Sequence, residues 1–178
     1  MVIVKKKAWE RLGEKWQLIN RITKNTNIDL KIYEKEEFNN SYPRNLTLIH
    51  ELSSSKILHG SINLPKRSVT KLDIMMKIDD SIKVKDMIEE NGISYITGKE
   101  LYSAIRNICI INQAIDGIIN STILNRLLEE LMGRATVQEL KQGDKEEYKK
   151  IASIILDILL VETQKRIRKW ENNKILIH

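Results

Sequence analysis

Apolar positions recur along this chain with two different periods, and the change from one to the other divides it. Up to about Gly60, short apolar runs alternate with helix-like stretches. Val2-Ile3-Val4 reads as a short strand. Trp9, Leu12, Trp16 and Ile19 then repeat at intervals of three and four, which places them on one stripe of a helix. The polar cluster Asn25-Thr26-Asn27 ends that helix and leads into a strand over residues 28–33. In that strand Asp29, Lys31 and Tyr33 share one face, and Ile28, Leu30 and Ile32 share the other. Glu36-Glu37-Phe38 begins the next helical stretch, and Pro43 after Ser41-Tyr42 suits the first turn of a helix through His50 and Leu52. Ser53-Ser54-Ser55 breaks it, and residues 56–59 make a third strand. Residues 1–60 are therefore expected to form a small three-stranded α/β unit, β-α-β-α-β, with right-handed crossovers if its strands are parallel.

Residues 61–72, with Pro65-Lys66-Arg67, read as a linker. Beyond them the period is helical, and residues 73–178 are expected to form an all-α helical bundle. Residues 79–90 suit a helix closed by Asn91-Gly92, followed by a short strand candidate at 93–96. Thr97 and Glu100 have capping-box spacing, so a long helix should start there and run to Met132, stopping at Gly133. Ile105, Ile108, Ile111, Ile115, Ile118 and Ile119 give it a broad apolar face, as at the centre of a bundle. The last helix spans about 145–170. Ile151, Ile155, Ile158 and Leu159 are expected to face inward, with Glu146, Lys150, Ser153, Asp157, Gln164 and Arg168 on its solvent stripe. The fold class is thus α+β or α/β: a small sheet unit, then a bundle.

Composition adds a modest bias. Lys and Arg number 30 against 24 Asp and Glu, a net charge of +6, which fits a polyanionic partner and equally the surface of a chain rich in Lys, Glu and Ile. The single Cys109, inside Ile108-Cys109-Ile110-Ile111, rules out an intramolecular disulfide and reads as a buried thiol. No apolar run approaches the roughly 18 residues of a membrane span. Lys5-Lys6-Lys7 interrupts the short N-terminal apolar stretch, so no signal peptide is expected and the cytoplasm is the expected location.

Candidate chemistry is sparse. Gly98-Lys99 fails as a phosphate loop, because Ile93 stands where its first glycine belongs and Glu100 where Ser or Thr should follow. His50, His59 and His178 have no metal-ligand spacing, and no metal site is expected. Lys66 and Arg67 in the linker, and Lys165, Arg166, Arg168 and Lys169 closing the last helix, are the candidate nucleic-acid contacts. The same cations also suit a helix C-terminus. Asp29 is the one carboxylate placed within a strand.

In order, these motifs resemble the later part of the nucleotidyltransferase superfamily typified by DNA polymerase beta and the small antitoxin-type nucleotidyltransferases. Val2-Ile3-Val4 is similar to the tail of that family's Asp-x-Asp strand, and Lys56-Ile57-Leu58-His59-Gly60 to its closing strand. The resemblance implies that Asp29 is a residual third catalytic carboxylate and Glu36-Glu37-Phe38 the next helix start. No Gly-Ser pair and no Asp-x-Asp stand before or within Val2–Val4, where that family carries them. One aspartate cannot assemble a two-metal site.

The expected function is therefore that of a non-catalytic remnant of that fold, without a cofactor, acting as a binding or interaction protein. A nucleic-acid-binding accessory protein is the alternative. An active, Mg²⁺-using nucleotidyltransferase is a third reading, should an Asp-x-Asp lie upstream of Met1. Helical nucleases that accompany such nucleotidyltransferases carry an Arg-x4-6-His signature, to which Arg44 and His50 are similar in spacing. A three-stranded sheet leaves bare edges, so a homo-oligomer or a protein partner is expected, and no membrane.

Overall fold

The computed structural model describes residues 2–4, 12–13, 16–17, 19–21, 32–53, 55, 61, 63–170 and 174–175. They fall into two units, residues 1–43 with 63–66, and residues 44–62 with 67–178.

In the first unit β1 (Val2–Val4) and β2 (Ile32–Glu34) pair in parallel, Val2 opposite Ile32 and Val4 opposite Glu34. The strand stops at Glu34 because its carboxylate caps the next helix, α1 (Lys35–Ser41), accepting from the amides of Glu36 at 2.9 Å and Glu37 at 3.1 Å. Phe38 is buried, edge-on to Tyr33 and stacked on Tyr42 with ring centres 5.5 Å apart. Residues 12–13, 16–17 and 19–21 are helical, and Trp16 is exposed rather than in a core.

The three-stranded α/β unit is not found among the described residues. The chain is mostly helical, and its described strands are two or three residues long in two separate two-stranded pairs. Capping at Glu34 turns the chain into helix before a longer ladder can form. The expected third strand at 56–59 and Asp29 lie outside the described residues.

The second unit contains α2 (Leu46–Leu52), β3 (Val69–Thr70), α3 (Lys71–Asn91), a 3₁₀ turn (Ile93–Tyr95), α4 (Gly98–Ile115), α5 (Ser121–Met132), α6 (Arg134–Gln142), α7 (Glu146–Lys169) and β4 (Lys174–Ile175), which is antiparallel to β3. Its core forms around α4, where Leu101, Ala104, Ile105, Ile108, Cys109, Ile111 and Ala114 are buried. Every other helix of the unit packs on α4, with α3 and α7 making the broadest contacts. A helix with so broad an apolar face belongs at a bundle's centre.

Three local expectations change. The single helix to Met132 is interrupted, because Gly117 takes φ 70° and Asn120 starts α5 with its side chain accepting from the Thr122 and Ile123 amides. Ile118, expected on the apolar face, is thereby left exposed. Residues 93–95 form a 3₁₀ turn in place of a strand. The capping box at Thr97 and Glu100 forms as expected, and Thr70 with Asp73 forms another at the start of α3. Among the described residues no helix is long and apolar enough to cross a membrane.

Candidate functional site

Helix α7 has apolar side chains on two opposite sides, and polar contacts decide which side the bundle takes. Near its N-terminus Lys149 is 3% exposed, its ammonium donating to the Ile96 carbonyl at 2.9 Å and reaching the Asp144 carboxylate at 3.3 Å. Asp144 also accepts from the Gly98 amide at 2.8 Å, so it ties the start of α7 to the first turn of α4. The Gly98 amide, aided by Lys149, holds the Asp144 carboxyl below its ordinary range. Near the other end Asn112 of α4 donates to Thr163 Oγ1 at 2.8 Å and accepts from Arg166 at 2.9 Å. Arg166 also pairs with Asp116. Between these two fastenings Ala152, Leu156, Leu159 and Leu160 are buried, as is Ile167 just past the second.

With its rotation fixed at both ends, the 100° step of a helix sets what the far side presents. Ile151, Ile154, Ile158 and Val161 lie there in one line, 46%, 62%, 54% and 51% exposed. This corrects the inward face expected from the sequence. Leu159 is inside, Ile155 is half-buried, and Ile151 and Ile158 point to solvent. The bundle selects the side carrying Ala152 and Thr163, both wholly buried, with Thr163 bonded to Asn112 of α4. Glu147 extends the line at one end and Lys165 at the other, giving the 4-3-4-3-4 spacing of a coiled-coil seam.

The candidate residues fare differently. Lys66 is exposed and Arg67 half-buried in the irregular segment before β3. Lys165, Arg168 and Lys169 are exposed on the outer side of α7 and form no ion pair with a described residue, whereas Arg166 is turned inward onto Asn112 and Asp116. The four cations are therefore split three and one. Arg44 and His50 do not meet, since Arg44 pairs with Asp73 at 2.8 Å and His50 is wholly buried against Gln113. Burial pushes the Cys109 thiol up to about 12, which leaves it unreactive at neutral pH. Among the described residues no cluster of three or more His, Cys, Asp or Glu could hold a metal ion.

The outer stripe was the feature not anticipated from the sequence. Its signal is present there: four aliphatic residues at heptad spacing, bracketed by opposite charges, on a helix that has a second apolar face. No protein-family model, no curated protein and no solved structure matches this chain.

Proposed function

We propose that this chain acts by binding another protein chain, with the outer face of α7 as the contact surface. The observation that carries the reading is the continuous line Ile151, Ile154, Ile158 and Val161, each about half exposed on the side opposite the bundle. Single exposed aliphatic residues are ordinary on protein surfaces, but four in register along one helix are a stripe. Covering each half-exposed side chain is worth about 1 kcal/mol, an incentive that only an apolar partner can satisfy. Nucleic acid would engage Lys165, Arg168 and Lys169 at one end of the helix and leave this stripe in water, so a protein partner accounts for more of the surface.

The test places a photo-crosslinking benzoylphenylalanine at Ile154 and, as a control, at Arg126, an exposed residue of α5 paired with Glu130. A discrete protein adduct is expected from position 154 alone, and Ile158→Asp should abolish it. Equal products from both positions, or none from either, would overturn the reading.

A further inference from the structure

We infer that the partner seated on the outer stripe of α7 is a second copy of this chain, with its own α7 antiparallel to the first. This rests on the protein-binding reading above and adds to it the identity and direction of the partner. The charges at the two ends of the stripe carry the inference. Glu147 and Lys165 stand on the same line as the four aliphatic residues, both exposed and neither in an ion pair with a described residue. Opposite signs at the two ends of a self-contacting seam favour one direction.

In an antiparallel pair about a two-fold axis, Ile154 meets the second copy's Ile158, Ile151 meets its Val161, and Glu147 meets its Lys165. The surface is then self-complementary, as an isologous interface must be. A parallel pair would set Glu147 against Glu147 and Lys165 against Lys165, a repulsive contact at each end. The flanks agree with the antiparallel arrangement. Half-buried Ile155 would lie beside its own copy on one side and widen the apolar strip. On the other side Asp157 would approach its own copy, but each Asp157 already has the Lys85 ammonium 3.9 Å away to offset that repulsion.

The seam from Glu147 to Lys165 is about 27 Å long at 1.5 Å per residue. One helix face of this length covers less than the roughly 1,200 Å² of a stable interface, so the dimer should be reversible and weak. The monomer mass is 20.8 kDa, and sedimentation equilibrium from about 5 μM to about 1 mM should show it passing to twice that value.

Charge swaps on the full chain then read the direction. Glu147→Lys alone and Lys165→Glu alone should each raise the dissociation constant about tenfold, since each places like charges at both ends. The double swap, Glu147→Lys with Lys165→Glu, should restore it. These positions are exposed, and unchanged far-UV circular dichroism would show that the variants fold.

A monomer throughout that concentration range would overturn the inference, as would a dimer indifferent to the single swaps. If the crosslinker at position 154 yields an adduct that is not twice the chain mass, a different protein occupies the stripe. The second-copy inference then falls while the protein-binding reading stands. No adduct at all removes both.

Discussion

His50 is the residue with the most at stake in the bundle. It is wholly buried, its Nε2 lies 3.1 Å from the Gln113 side-chain oxygen, and its Nδ1 has no hydrogen-bond partner among the described residues. Gln113 Nε2 and Thr47 Oγ1 are likewise buried and unpartnered. Burial favours the neutral ring, and the Arg106 charge acts in the same direction. The Gln113 side chain, the nearby Asn120 backbone and the Glu51 charge favour the charged ring without prevailing, so the pKa lies below its ordinary value. A folded-state pKa below the unfolded value of about 6.5 means that the unfolded chain takes up the proton first as pH falls. The contribution of His50 is thus present above that value and is lost as pH drops through it toward the folded pKa. Glu100 and Asp144, held low by the Thr97 and Gly98 amides, lose their contributions only in the carboxylate range, near about pH 4. The midpoint of urea unfolding is therefore expected to fall between about pH 7.5 and about pH 5.5. His50→Gln should flatten most of that slope, and an equal slope in the variant would show that His50 is not its source.

At the scale of elements, capping chemistry was legible and helix rotation was not. The Thr97–Glu100 spacing identified the start of α4 because both partners of that box are local. The break after Ile115 was hidden in a continuous apolar pattern, although Gly117 and Asn120 are the residues that make it. The inward side of α7 was misread because isoleucines outweigh Ala152, Thr163 and Lys149 in any count of hydrophobicity. Those three are nevertheless the buried ones, and the partners that hold Thr163 and Lys149 there, Asn112 and the Ile96 carbonyl, are far away in sequence. Gly98 belongs to the same class. It stands in a local capping motif, yet what it needs is room, since a Cβ there would lie 2.9 Å from the Leu140 carbonyl oxygen and 3.1 Å from its Cα. Backbone cannot step aside as a flexible side chain can. Gly98→Ala is expected to cost about 1–3 kcal/mol in denaturant unfolding, by forcing α4 away from the end of α6. A change under about 0.5 kcal/mol would show that the two helices separate freely.

At the scale of the whole molecule, the question is where the bundle begins. Patterning put a boundary near Gly60, because residues 1–60 mix strand-like and helical runs, and it grouped the Pro43-led helix with the sheet. In the structure α2 belongs to the unit that contains α4, and Leu46, Leu48 and Ile49 are buried there together with His50. Local periodicity cannot reveal this, since an amphipathic helix shows that it has a partner without showing which one. The two boundaries make opposite demands on a shortened chain. Beginning at Arg44 keeps α2 over α4. Beginning at Ser61 strips it away and exposes apolar surface worth about 1.5–3 kcal/mol for each fully buried aliphatic side chain lost. Three such side chains amount to a large part of the roughly 5–15 kcal/mol that holds a domain of this size together. A chain over residues 44–178 is therefore expected to unfold cooperatively on heating, with a midpoint near that of the full protein. A chain over residues 61–178 should melt at far lower temperature or without a sharp transition. Circular dichroism melts of the two chains decide between the boundaries, and equal midpoints would show that α2 contributes nothing to the bundle it packs against.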